Sequence, residues 1–266
     1  MRKINKVKLF VNDNELSSLV AKDLELELKK YNFEIVDKCY DLGISIGGDG
    51  TFLKMVKENN FNDDIYYIGV NSGTLGFLQE IDIKDTKDFV KRLNSNKFKI
   101  EELSIQKTKV ITEEKIETFN SLNEIVVRRK NFRTLKIPIY VDDELLEEFS
   151  GDGILVSTST GSTAYNMSFG GSIIYNTLNT LSITPIAPLN NKAYKTLTNS
   201  VVIPSDKKVN LIPKKSKNLF FMVDGKILEF DKVIKVETKI DKKKIKCIRM
   251  NDFHFVKVVN SKLLKN

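Results

Sequence analysis

Leu42-Gly-Ile-Ser-Ile-Gly47, followed by Gly48-Asp-Gly-Thr51, sets an apolar run directly before a turn of nearly bare backbone. Three glycines within positions 47–50 leave little side chain to pack, and glycine lets a chain turn sharply and approach another group closely. The one functional side chain is the carboxylate of Asp49, presented at the end of a strand of buried character (Leu42, Ile44, Ile46). Phe52, Leu53 and Val56 then begin a helical pattern, with Thr51 expected to cap it. The first N–H groups of such a helix favour an anion. Glycines, one acid and a helix N-terminus at a strand end point to phosphoryl chemistry.

On either side of this turn, strands and helices alternate. Residues 6–11 read as a strand, Asn12, Asp13 and Asn14 offer a cap, and Leu16, Leu19, Val20, Leu24, Leu28 and Tyr31 recur at helical spacing. Residues 33–36 and 65–70 read as further strands and 85–93 as a short helix. This alternation predicts an α/β N-terminal domain with a doubly wound parallel sheet over residues 1–99. The loop Asn71-Ser-Gly-Thr-Leu-Gly-Phe-Leu78 follows the 65–70 strand, so two glycine-punctuated loops are expected to border one crevice.

From about residue 100 the texture changes to short β-branched segments, among them 107–112, 115–120, 124–127, 135–141, 201–203, 209–212, 219–223 and 233–237. Charged turns such as Asp142-Asp143 and Asp224-Gly225 separate them. They predict a β-rich C-terminal domain, a β-sandwich, over residues 100–250. Only 163–168 and a piece near 190–196 read as helical. Residues 253–264 turn amphipathic, and 251–266 are expected to return to the first domain.

With 41% hydrophobic and 29% charged residues the 266-residue chain has the balance of a soluble globular protein. No apolar run approaches the ~18 residues of a membrane span, and the N-terminus lacks the apolar core of a signal peptide, which predicts a cytoplasmic location. Cys39 and Cys247 read as two buried thiols. The single histidine, His254, excludes a histidine-based zinc cluster and leaves little room for a Ser-His-Asp triad. The net charge of +8 comes from scattered lysines without an aromatic-interleaved basic stripe, so no nucleic-acid partner is expected. Gly43-Ile-Ser-Ile-Gly47 matches the G-x-S-x-G pattern of hydrolases, but Ser45 lies inside the strand rather than on the turn. Neither G-x-G-x-x-G nor a Walker lysine motif occurs.

A second block, Gly151-Asp-Gly-Ile-Leu-Val-Ser-Thr-Ser-Thr-Gly-Ser-Thr-Ala-Tyr-Asn-Met-Ser168, sets Asp152 between two glycines ahead of an apolar strand. Seven Ser, Thr or Gly residues follow at 157–163, before Ala164 and Tyr165. Helix capping explains one or two of those hydroxyls. The rest, followed by an aromatic, suit a polar ligand with a flat ring. Asn123-Glu124 reads locally as a turn.

Taken together the blocks resemble the NAD kinase family: Gly47-Gly-Asp-Gly-Thr51, Asn71-Ser-Gly-x-Leu-Gly-Phe77, Asn123-Glu124, Asp152-Gly153, Thr160-Gly-Ser-Thr-Ala-Tyr165, Gly170-Gly171 and Thr184-Pro-Ile-Ala-Pro188 follow the family's order. The resemblance implies transfer of the terminal phosphoryl group of ATP to the 2′-hydroxyl of the adenosine ribose of NAD, making NADP. It also implies a site in the cleft between the two domains, a divalent metal cation (Mg2+ or Mn2+), and a homodimer or homotetramer. Asp49 stands where the family has its general base, with Gly50 beside it and Lys54 at a position often basic. A metal-ligand role for Asp49 is the alternative the sequence leaves open. The resemblance assigns Asn123 and Glu124 to the adenine or ribose, and Asp152, Thr163, Ala164, Tyr165, Asn166, Met167, Ser168 and Ala187 to the dinucleotide pocket. Ser150, Ser159 and Leu189 depart from the arginine, proline and histidine usual at those places. The rival readings are a lipid kinase of the diacylglycerol or sphingosine type sharing the glycine-aspartate turn, and a non-catalytic NAD(H)-binding sensor. The resemblance admits polyphosphate beside ATP as phosphoryl donor.

Overall fold

The structure, a computed structural model, describes residues 3–73, 76–130, 133–192, 195–213 and 219–264. Along the chain run β1 (Lys6–Val11), α1 (Glu15–Lys30), β2 (Glu34–Ile35), β3 (Leu42–Gly47), α2 (Asp49–Glu58), β4 (Tyr66–Asn71), β5 (Ile81–Asp82), α3 (Thr86–Asn94) and β6 (Phe98–Thr112). Then come β7 (Ile116–Ser121), β8 (Glu124–Arg129), β9 (Leu135–Val141), β10 (Glu144–Gly151), β11 (Gly153–Thr158), α4 (Tyr165–Ser168) and β12 (Thr180–Ile186). The last elements are β13 (Val201–Pro204), β14 (Lys208–Leu211), β15 (Leu219–Val223), β16 (Lys226–Phe230), β17 (Val233–Met250) and α5 (Phe255–Leu263). Two compact units result, one from residues 1–103 with 244–266 and the other from 104–243.

In the first unit the strand order β2-β1-β3-β4 is parallel throughout, and β5 and residues 246–247 of β17 also run parallel to β4. The near-continuous apolar character of β3 and β4 follows, since strands flanked on both sides and covered on both faces expose nothing to water. Val20, Leu24 and Leu28 of α1 and Phe89, Val90 and Leu93 of α3 pack with Ile44, Ile46, Ile68 and Val70 in one core cluster. Asn14 caps α1, its side chain accepting from the Ser17 N–H at 2.8 Å. The order places a switch between β1 and β3, where ligand crevices form outside the strand ends. β3 and β4 end there in the two glycine-punctuated loops.

The second unit contains a six-stranded antiparallel sheet, β13-β12-β11-β8-β15-β16. Against it lies an antiparallel ribbon in which β9 pairs with β10 and β14, and β14 with residues 236–239 of β17. Ile125, Val127, Ile154 and Val156 from the sheet share a core with Ile137, Ile139, Val209 and Leu211 from the ribbon. That is the expected sandwich. At its centre β8 is flanked by β11 and β15, both antiparallel to it, so the start of β8 meets the ends of both neighbours.

Several expectations change. Thr51 does not cap α2: the helix starts at Asp49 with Gly48 at the cap, and Thr51 sits in the first turn with its N–H on the Gly48 carbonyl at 3.0 Å. Cys39 is exposed rather than buried, in the left-handed region at φ 55°, whereas Cys247 is buried and its thiol is pushed up to about 12 by desolvation. Among the described residues no helix occupies 190–196, and Ala193 and Tyr194 of that stretch lie outside them. Thr74 and Leu75 of the second glycine loop also lie outside. No helix among the described residues is long and apolar enough to cross a membrane.

Candidate active site

Asp49 is half-buried at the N-terminus of α2, two residues beyond the end of β3. The second glycine loop reaches back to it. The Phe77 N–H donates to Asp49 Oδ2 at 2.8 Å and the Leu78 N–H to Oδ1 at 3.0 Å. The Gln79 N–H acts on the same carboxylate. Burial pushes the Asp49 carboxyl above its ordinary range, opposed by these three amides and, more weakly, by the charge of Lys262. A half-buried carboxylate with a raised pKa suits a group that must accept a proton.

The turn itself is braced from below. Gln79 Nε2 donates to the Gly48 carbonyl at 2.7 Å, while Ser45 Oγ donates to Gln79 Oε1 at 3.1 Å inside the sheet. A Cβ at Gly76 would stand 2.9 Å from Asp49 Oδ1, so the bare backbone there is what admits the carboxylate. Gly50 is exposed, and a Cβ on it would meet open space. Lys54 points outward, 3.9 Å from Glu58 across one helical turn and largely exposed. Its ammonium is spent in solvent.

In the second unit, Asn123 and Glu124 stand at the start of β8, against the ends of β11 and β15. The Thr158 N–H donates to the Asn123 carbonyl at 2.9 Å, and Thr158 Oγ1 donates to the Leu122 carbonyl at 2.6 Å. A Cβ at Gly161 would overlap the Asn123 backbone, so only glycine lets the turn at 160–163 pass this close. Asp224, in the tight turn after β15, accepts N–H bonds from Leu122 (2.7 Å), Asn123 (2.8 Å) and Glu124 (3.2 Å). Burial, with the Asp224 charge behind it, pushes the Glu124 carboxyl up to about 8, and the Tyr165 N–H pulls in the other direction.

The run of small hydroxyls has a mostly internal use. Ser157, Thr158, Ser159, Ser162 and Thr163 all donate to backbone carbonyls of the block or its neighbours. Only Thr160 Oγ1, of the six hydroxyls at 157–163, is buried without a partner among the described residues. Asn123 Oδ1 and Glu124 Oε2 are orphaned in the same way. Buried polar atoms in native folds are nearly always bonded, so three orphans on adjoining segments mark a place for a ligand. Tyr165 and Ala164 are half-buried beside them, Thr163 is buried, Met167 is half-buried and Ser168 exposed. Asn166 turns inward instead: its Nδ2 reaches the carbonyls of Ser162 and Ser172, and its Oδ1 accepts from Thr184 Oγ1 at 2.6 Å.

Asp152 and Ala187 do not join this group. Asp152 precedes β11 and Glu124 pairs with Ser157 near its other end, so about 17 Å of strand separates them at ~3.3 Å per residue. Asp152 is largely exposed, 3.9 Å from Arg128 Nη2. Its N–H bonds the Ile186 carbonyl, and Ala187 follows at φ 43°, a left-handed conformation costly for an L-residue. Arg128 had no sequence signal of its own. It puts a guanidinium beside Asp152, where Ser150 had withheld the expected arginine.

Two family models match the chain: the ATP-NAD kinase N-terminal domain over residues 7–98 and the ATP-NAD kinase C-terminal domain over residues 122–250. The chain belongs to the NAD kinase family. The NAD kinase of Finegoldia magna is 37% identical over 263 residues, covering 95% of this chain and 96% of that one. In fold it is similar to a yeast NADH kinase solved with NADH (TM-score 0.87, 20% identity, 98% of this chain and 88% of that chain). It is also similar to an NAD kinase from Archaeoglobus fulgidus solved with ATP (TM-score 0.77, 20% identity, 98% and 99%). The lipid-kinase reading finds no support in these likenesses. Asp49 with its loop amides falls within the first matched domain, and Asn123, Glu124, Asp224 and the 160–168 block within the second.

Proposed function

We propose that this chain transfers the terminal phosphoryl group of ATP to the 2′-hydroxyl of the adenosine ribose of NAD, with Asp49 as the general base. The observation that carries the reading is the carboxylate of Asp49, raised by burial yet steadied by the amides of Phe77, Leu78 and Gln79 at a strand end. Phosphoryl transfer passes through a loose transition state, so positioning and charge neutralisation dominate and the base takes its proton late. The amides hold the Asp49 carboxylate in one orientation and leave further lone pairs on both oxygens to receive that proton. Asn123, Glu124 and Thr160 recognise the dinucleotide through their unspent polar atoms, Tyr165 offers a ring face to its base, and Asn166 braces the turn that carries them.

A divalent cation fits this arrangement in one way. Among the described residues no three His, Cys, Asp or Glu side chains group to hold an ion. Magnesium characteristically takes one or two carboxylates and completes its shell with substrate phosphates and water, so Asp49 is the residue of this chain that could lean toward it. Such an ion, carried by the nucleotide, would neutralise charge on the transferred group. A cytoplasmic, self-associating protein is part of the same proposal and rests on family membership alone.

The test is direct. The full chain with NAD, ATP and magnesium should form NADP in an assay coupled to an NADP-specific dehydrogenase, with phosphorus NMR placing the new phosphate on the 2′-oxygen. Binding of NAD without any turnover would instead make the protein a sensor on this scaffold.

A further inference from the structure

Asp224 stands outside the residues assigned so far to substrate. It opens a two-residue turn between β15 and β16, Asp224 at φ 44° and Gly225 at φ 79°, the geometry of a tight hairpin. Such a turn needs only residues that tolerate positive φ. This one does more, because its carboxylate takes the N–H groups of three consecutive residues about a hundred positions earlier, and its own N–H bonds the Glu124 carbonyl at 3.2 Å. The segment so gripped bears two of the orphaned buried atoms, Asn123 Oδ1 and Glu124 Oε2. A brace built for stability alone has no use for an acid beside the buried Glu124, whereas Asp224 there adds its charge to burial in opposing Glu124 ionisation.

We propose that Asp224 is a positioning residue for the dinucleotide: it fixes the backbone at 122–124 so that Asn123 Oδ1 and Glu124 Oε2 face the adenosine, and its charge adds to burial in keeping Glu124 a hydrogen-bond donor to the substrate. The inference rests on the reading that Asn123 and Glu124 contact NAD. The groups acting on Glu124 are Asp224 from the β15–β16 turn and Tyr165 from α4, and no lysine or arginine among the described residues acts on it. With its carboxyl pushed up to about 8, Glu124 carries a proton at neutral pH and presents O–H to an acceptor on the ligand. As pH rises past that value the donor becomes a second buried anion beside Asp224, and affinity for NAD falls.

Initial rates at saturating ATP, with NAD varied between pH 6 and 9.5, test this on wild type, Asp224→Asn and Glu124→Gln, alongside calorimetric NAD binding. For wild type the KM for NAD should be flat below pH 8 and climb by up to about tenfold per pH unit above it, while kcat changes little. Asp224→Asn should raise KM about tenfold at pH 7 with kcat within about threefold. Its alkaline break should move to lower pH, because the charge opposing Glu124 ionisation is gone. Glu124→Gln, a donor at every pH, should abolish the break, whatever its KM at pH 7. The proposal is overturned if Asp224→Asn leaves both KM and the break where they were, if it changes kcat and KM without moving the break, or if Glu124→Gln retains the break. Should Asp224→Asn not fold, the wild-type and Glu124→Gln profiles decide. Should wild type bind NAD without making NADP, the proposed function fails while the calorimetric pH profile still answers the question about Asp224.

Discussion

Two carboxylates in this protein are each gripped by three successive backbone amides, and the two units use the device in opposite ways. In the first unit Phe77, Leu78 and Gln79 hold Asp49, and the carboxylate is the working group. In the second, Asp224 holds Leu122, Asn123 and Glu124, and the gripped segment carries the working side chains. Both solve the same problem. A carboxylate taken out of water must be bonded, and amides that no strand ladder satisfies must find acceptors. What differs is which partner is left with unspent hydrogen-bonding capacity. The comparison assigns catalysis to one clamp and recognition to the other, so damage to each should register in a different kinetic constant.

The two glycines that let backbone approach Asp49 and Asn123 give the sharpest separation. Gly76→Ala pushes a methyl group against Asp49 Oδ1 at 2.9 Å; displacement of a catalytic group by about 1 Å costs on the order of 100-fold, and kcat should fall by ~30–100-fold with the KM for NAD within about threefold. Gly161→Ala drives a methyl group into the Asn123 backbone. Overpacking of this kind costs about 1–3 kcal/mol, so the KM for NAD should rise ~10–30-fold with kcat much less affected. If both variants changed the same constant, the division of labour between the clamps would be wrong. Gln79→Ala removes the bonds to the Gly48 carbonyl and to Ser45 while leaving the backbone amides in place; kcat should fall about fivefold, consistent with a lost buried hydrogen bond of about 1 kcal/mol. Lys54→Ala sets the floor. Its exposed pair with Glu58 is worth about 0.3–0.5 kcal/mol at most, and both constants should stay within about twofold.

The chain reads well from sequence where burial dictates composition. β3 and β4 lie inside a parallel sheet, and their unbroken apolar runs announced it; α1 showed its cap at Asn14 and its stripe through Val20, Leu24 and Leu28. β10 was invisible because its first five residues, with Glu144, Glu147 and Glu148, lie at a sheet edge and face water. β12 carries Pro185 and three hydroxyl residues, and β17 continues through Lys242–Lys244, so pairing rather than propensity makes them strands. The chain passes between its two units at 103–104 and 243–244, inside β6 and β17, which is why no linker composition marks the change.

At the site, Asp49, Asn123, Glu124 and Tyr165 were legible as residue types in a pattern. The grips on them were not. Asp224-Gly225 looked like any charged hairpin turn, and nothing local reveals that its carboxylate reaches three amides at 122–124. The hydroxyls at 157–163 misled in the other direction: they suggested a ligand surface, but five of six are consumed in bracing the turn, leaving Thr160.

The central claim concerns Asp49, and one pair of readings on a single preparation tests it: NADP turnover and calorimetric NAD affinity of Asp49→Asn, an isostere that keeps the shape and gives up the basicity. Turnover should drop by about 10²–10⁴, the share a positioned base supplies, while the Kd for NAD stays within about threefold of wild type. Turnover equal to wild type, or NAD affinity lost in step with it, would contradict the account.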